Sequence, residues 1–160
     1  MNIFVSDTDP IVAGQVLDDR RTIKMILETA QMVSTVAHLH GVTDPGWYNP
    51  THTNHPCVKW AATNDKNLIW LVEHGEALAA EYTRRFGKVH KSLPVIERGY
   101  RLAGCIPIGE VTPFVNCTTF KGLPVVQAYR QALCNKWSHD NPVPKWTKAE
   151  PPTWFVRGKV

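Results

Sequence analysis

Within the stretch RTIKMILETAQMV, residues 21–33, four polar side chains recur at helical spacing: Arg21, Lys24, Glu28 and Gln31. Intervals of three, four and three place them on one helix face, with Ile23, Ile26, Leu27 and Ala30 on the other side. The apolar flanks predict that most of this helix's circumference is buried. A lysine and a carboxylate four residues apart in such a setting form a structural ion pair, or they present an amine and a general base to a substrate. Both readings stay open on this stretch alone.

Helical patterning organises the rest of the chain. Asp9 followed by Pro10 is a helix start, and the pattern runs to His40 with Gly41 as its cap. Gly14 and the Asp18–Arg21 charge cluster mark a bend or a break within it. A second long helix is expected from about Asn64 to Phe86, ended by Gly87, with Leu68, Leu71, Val72, Leu78, Ala79 and Tyr82 as its apolar face. Asn67, Trp70, His74, Glu81 and Arg85 form a polar stripe on another of its faces. The two stripes are expected to confront each other across a cleft. MNIFVS reads as a short strand or extended arm, and residues 42–57 as a loop rich in Pro, Asn and Gly. Ser92 and Pro94 begin a short helix ending near Gly104. Pro124 starts another helix through VVQAYRQALCNK, and a tail rich in proline and tryptophan follows from Trp137. The expected class is mainly α: a compact single-domain helical fold over residues 1–160, with long loops.

The bulk numbers narrow the function classes. With 43% hydrophobic and 20% charged residues, 160 residues suffice for a sizeable core. No apolar run matches a membrane span and no secretion signal is visible, so a cytoplasmic protein with reduced cysteines is expected. A net charge of +4 is compatible with a polyanionic partner. Cys57, Cys105, Cys117 and Cys134 form no CxxC pair. A cluster of His52, His55 and Cys57 lacks a fourth ligand, so no metal site is expected. P-loop, GxGxxG and nucleophile-elbow patterns are missing, and no cofactor is expected.

Two further segments carry chemistry. RRFGKVHK supplies Arg84, Arg85, Lys88, His90 and Lys91 around a helix end, where they complement the helix dipole or contact phosphate. Arg98, Arg101, Lys145, Lys148, Arg157 and Lys159 add to the basic character, and Trp146, Trp154 and Phe155 interleave with them as base-stacking groups or as staples for the tail. THTNHPC offers His52, Asn54 and His55 as proton carriers or phosphate donors, or as residues that build a turn before Pro56.

The order of motifs carries a resemblance. An N-terminal MNIF, an early helix with KMILE and AQM, then NHPC, a long helix ending EYTRRFGKVHK, TPF at 112–114, AYR at 128–130 and a closing PTWF together resemble small phage pyrimidine-dimer DNA glycosylases. More distantly they resemble endonuclease V of T-even phages. The resemblance implies an all-α glycosylase with lyase activity on duplex DNA bearing a damaged or modified pyrimidine, working in the host bacterial cytoplasm without a protein partner. In that mechanism a free N-terminal amine, of Met1 or of Asn2 after processing, attacks the sugar. A helix carboxylate assists, Glu28 being the best placed and Asp19 an alternative. Two other classes stay open: a transferase that displaces an activated hydroxymethyl group on thymine with an amine, and a DNA-binding protein without catalysis. The expected pocket joins Lys24, Glu28 and Gln31 to His52, Asn54 and His55, opposite His74 and Glu81. Arg21 and Trp154 are expected on the DNA-binding surface.

Overall fold

A computed structural model describes residues 1–157; Lys159 lies outside the described residues. These form seven helices and no strand: α1 (Pro10–Gln15), α2 (Asp19–Leu39), α3 (Pro56–Ala62), α4 (Asp65–Phe86), α5 (Leu93–Glu97), α6 (Gly99–Ala103) and α7 (Val125–His139). The helical class follows the periodicity. MNIFVS is an extended arm whose Ile3, Phe4 and Val5 are buried in the core.

Local chemistry sets the boundaries. Asp9 caps α1 by accepting from the backbone N–H groups of Ile11 and Val12, with Pro10 in the first turn. Asp18 caps α2 through the Arg21 N–H. The expected 10–40 helix therefore breaks at residues 16–18. Gly14 is no break point: it lies inside α1, where a Cβ would come within 2.8 Å of the Ala77 Cβ. Its missing side chain lets α1 lie close on α4. Asn64 caps α4 through the Asn67 N–H, and Gly87 ends it at φ +72°.

The two long helices pack antiparallel, with Thr22 beside Arg85 and Thr29 beside Gly75. A Cβ on Gly75 would lie 2.7 Å from Thr29 Cγ2 and 2.9 Å from Ile96 Cγ2, so the helices approach to a spacing that only glycine permits. Ile26, Met32, Val33 and Val36 from α2 meet Leu68, Leu71, Val72 and Leu78 from α4 in the core. One expectation fails here. Ile23 and Leu27 are 40% and 43% exposed, and with Arg20 and Lys24 they make an open face of α2. The packed side of the helix instead takes Met25, Ile26, Thr29 and Ala30, so the apolar flank is divided between core and solvent.

The C-terminal third wraps this pair. The 92–104 segment is two short helices meeting at Arg98. Helix α7 outruns its expected end and takes Trp137 out of the tail; that indole is fully buried and donates to Asp18 Oδ1 at 2.8 Å. Trp146 and Phe155 pack edge-on to it and Trp154 stacks on it. The tail is stapled rather than loose. None of the helices among the described residues is long and apolar enough to cross a membrane.

Candidate functional site at the N-terminal amine

The arm turns back on itself because of its second residue. Asn2 Oδ1 accepts from the Ile3 N–H at 2.7 Å and the Phe4 N–H at 3.0 Å, a side-chain turn of the kind asparagine favours. Phe4 adopts φ +44°, and the Ser6 N–H bonds to the Phe4 carbonyl at 2.7 Å. Arg130 from α7 holds the far end of the turn, its Nε donating to the Ser6 carbonyl at 2.8 Å. The result brings the α-ammonium of Met1 to 3.2 Å from Glu28 Oε1, with the Met1 side chain 2% exposed.

Glu28 stands between two cations of unlike character. On the inside is the α-ammonium. On the outside is Lys24 Nζ, 3.8 Å from Oε2 on a 74% exposed side chain. Oε1 is buried without an aligned hydrogen bond among the described residues, so its contact with the amine is electrostatic. A buried carboxylate oxygen left in this state retains capacity for another donor or for a developing positive charge.

The 42–55 loop closes on this pair from α2. The Thr35 hydroxyl accepts the Thr51 N–H at 3.1 Å, and the Ser34 hydroxyl accepts the Tyr48 N–H at 3.0 Å. His55 ends the loop as the N-cap of α3, its Nδ1 accepting the Cys57 N–H at 3.1 Å. With that lone pair engaged, the neutral ring carries its proton on Nε2 and is a donor there. Burial, then the α-ammonium and His52, lower the His55 pKa, while Glu28 works against them. Of the expected group, Lys24 pairs with Glu28, and His55 lies near enough for Glu28 and the α-ammonium both to act on its ring; His52 meets the group only through His55. His52 is exposed, its ring centroid 6.4 Å from that of His55. Asn54 is exposed in the same loop, and Gln31 is half-buried one turn beyond Glu28.

His74 and Glu81 are elsewhere, and the expected cleft between two polar stripes does not form. The α4 stripe is buried and internally bonded. Asn67 bonds to Trp60 O and Thr112, and Trp70 Nε1 donates to Thr8 O. His74 Nδ1 donates to Pro10 O at 3.1 Å. Desolvation lowers the His74 pKa to about 4 despite help from the Pro10 and Ile3 carbonyls. Burial would raise the Glu81 carboxyl, but hydrogen bonds from Arg84 and Arg85 outweigh it and hold the pKa below its ordinary value.

The basic cluster divides in the same way. Arg85 is a correction: its guanidinium is wholly buried, bonded to Glu81, Asp19, Thr22 and the carbonyls of Leu17 and Gln15, and cannot reach a phosphate. His74 is out of reach of DNA for the same reason. Asp19 is engaged by Arg85 and Thr147. Arg21 is paired with Asp18 and Asp140. Arg84 is half-exposed, tied to Glu81 and to Lys148 O. His90 Nδ1 accepts the Ser92 N–H, while Lys88 and Lys91 are open to solvent. Trp154 lies between Trp137 and the Arg130 guanidinium.

Sequence reading missed two things. The open face of α2, with Arg20 and Lys24 beside Ile23 and Leu27, borders Glu28; the exposure of two aliphatic residues gave no advance signal. Cys117 comes to 3.7 Å from Cys57, sulfur to sulfur. Burial and this neighbour push the Cys57 thiol well above its ordinary range.

Comparison with known proteins adds one finding. A family model described as pyrimidine dimer DNA glycosylase matches residues 1–94, the segment that holds the arm, Glu28, the histidine loop and the two long helices. No curated protein and no solved structure matches.

Proposed function

The chain belongs to the pyrimidine dimer DNA glycosylase family, and from that premise we propose that it is a DNA glycosylase and lyase whose nucleophile is the Met1 α-amine and whose assisting carboxylate is Glu28. The observation that carries this reading is the 3.2 Å pair itself: the α-ammonium of a part-buried Met1 beside a buried carboxylate oxygen that has no aligned hydrogen bond among the described residues. α-Amines as a class titrate well below lysine, so their nucleophilic form is more accessible near neutrality.

In this reading Glu28 takes a proton from the ammonium, and the neutral amine attacks C1′ of the damaged pyrimidine nucleotide. The bond from C1′ to the base breaks with its electron pair, and the base leaves with the proton that Glu28 took from the amine, which returns Glu28 to its anion. Glu28 stabilises the positive charge that develops on the sugar. Ring opening gives a protonated imine between Met1 and C1′. Loss of the C2′ proton then expels the 3′ phosphate and nicks the strand. The Nε2–H of His55 donates to a sugar or phosphate oxygen. Lys24 and Arg20 on the open face of α2, with Lys88 and Lys91, supply backbone attraction. Ile23 and Leu27 offer apolar surface to an unstacked base, whose exposure costs a few kcal/mol.

The test is borohydride reduction during incubation with duplex DNA containing a cyclobutane pyrimidine dimer or an abasic site. A covalent adduct that maps to the Met1 nitrogen supports the reading. An adduct on a lysine, or none alongside a mass gain on an activated hydroxymethyl thymine, rejects it.

A further inference from the structure

Apart from Glu28, the structure gathers a second group of reactive side chains. His55, Cys57 and Cys117 bring one ring nitrogen and two sulfurs together, all within 4.8 Å of one another. They come from two separate pieces of backbone. His55 ends the histidine loop and Cys57 sits in the first turn of α3. Cys117 lies in the loop before α7, where its N–H bonds to the Tyr129 hydroxyl at 3.3 Å while that hydroxyl donates to Val115 O at 2.9 Å. The cluster is therefore held by elements with independent anchors.

From this geometry we propose that His55, Cys57 and Cys117 form a binding site for a soft divalent cation of the zinc class. Two thiolates and one imidazole are donors such ions prefer over oxygen, and water takes the fourth position, as in zinc sites with three protein ligands. The sulfur separation agrees: 3.7 Å is far from a disulfide bond and close to the edge of a tetrahedron with metal–sulfur bonds of 2.3 Å, which is roughly 3.8 Å. His52, which sequence spacing groups with His55 and Cys57, is replaced by a cysteine sixty positions from Cys57.

Binding has a built-in competitor. A neutral imidazole has one lone pair, and that of His55 accepts the Cys57 N–H as the cap of α3. The ring cannot cap and ligate together, so the ion takes His55 from the helix end and links α3 to the loop before α7. An asparagine at position 55 caps as well as histidine but supplies no imidazole.

The experiment is titration of the full chain, reduced and metal-free, with zinc and then with cobalt as a spectroscopic probe. One equivalent per chain is expected, with a thiolate-to-cobalt charge-transfer band and a rise in thermal midpoint on zinc binding. Cys117→Ser should abolish the band and weaken zinc binding by at least about 100-fold. His55→Asn should keep the metal-free thermal midpoint and weaken binding about 10-fold or more. Should Cys57→Ser fail to fold, the Cys117 and His55 variants carry the test. Zinc binding that is unchanged in Cys117→Ser, or a cobalt spectrum without the thiolate band, overturns the proposal. These readouts do not involve DNA, so they stand or fall apart from the glycosylase reading.

Discussion

Glu28 and Glu81 are built alike and finished differently. Each is a buried carboxylate on a long helix, flanked by one inner cation and one more exposed cation, the inner one being the α-ammonium of part-buried Met1 for Glu28 and buried Arg85 for Glu81. At Glu81 the circle is closed: Arg84 donates to both oxygens and Arg85 adds a bond at 2.9 Å, with the Arg85 fork satisfied in turn by backbone carbonyls and Asp19. At Glu28 it is left open: among the described residues Oε1 has only the α-ammonium at 3.2 Å and Oε2 only a solvated lysine at 3.8 Å. A carboxylate that already accepts three aligned hydrogen bonds has little capacity left for chemistry, whereas one that accepts none at its buried oxygen retains it. Burial and charge pairing therefore do not separate a working group from a structural one. The count of remaining lone pairs is what sets Glu28, the carboxylate we propose to be catalytic, apart from Glu81.

That contrast is open to attack, most forcefully by a pair of isosteric variants. Glu28→Gln is expected to lower single-turnover strand cleavage by about two to four orders of magnitude with little change in the denaturation midpoint. Glu81→Gln should do the reverse, costing stability and leaving the rate per folded molecule near wild type. Equal rate losses in the two variants would erase the distinction.

The structural side of the comparison is probed by Arg85→Met, measured by urea unfolding. Removing one partner of a buried ion network leaves Glu81 and Asp19 uncompensated, and a loss of about 3–5 kcal/mol is expected. A loss under about 1 kcal/mol would show that Glu81 is not held as tightly as its bonds suggest.

His74 extends the same point to pH. Its folded pKa of about 4 lies below the ordinary histidine value, so the unfolded chain binds the extra proton first. Stability from this group is complete above about pH 6.5 and is lost as pH falls towards 4, by on the order of 3 kcal/mol in all. The pH dependence of wild-type unfolding should flatten over that window in His74→Gln. An identical profile in the variant would remove His74 from the structural set.

The smallest effect belongs to the open basic surface. Lys88→Ala combined with Lys91→Ala should reduce the salt dependence of DNA binding by about one unit of log–log slope for each phosphate no longer neutralised, with cleavage at saturating DNA unchanged. An unaltered slope would take this patch off the DNA path.

Helix positions were legible in the sequence because caps and stops are local: Asp9 with Pro10, Asn64 and Gly87 each act within one turn. The end of α7 was not. The run after Lys136 looks like tail until Trp137 is seen to bury against Asp18, a residue 119 positions away. Within the candidate site, Lys24 and Glu28 could be joined by counting, and His55 could be read as either cap or proton carrier. Setting His74 and Glu81 opposite that pocket was the natural error, since both stripes recur at helical intervals and only the packing partner differs. Cys117 was invisible for the same reason as Trp137: its partner lies across the fold, and nothing within its own neighbourhood encodes the meeting.

Gly75 gives the candidate site a gauge. It faces Thr29, the residue after Glu28, across a gap too narrow for a methyl group. The perch of the carboxylate over the amine is therefore referenced to the spacing of two helices, and that spacing to one absent side chain. An alanine there would act as a shim, moving α2 against α4 without altering any charge, donor or acceptor near the reacting atoms. Displacements of about 1 Å at a reacting centre are worth about a hundredfold in rate. Gly75→Ala thus offers a mechanical adjustment of the chemistry: a way to change how well the parts are aimed while leaving every part in place.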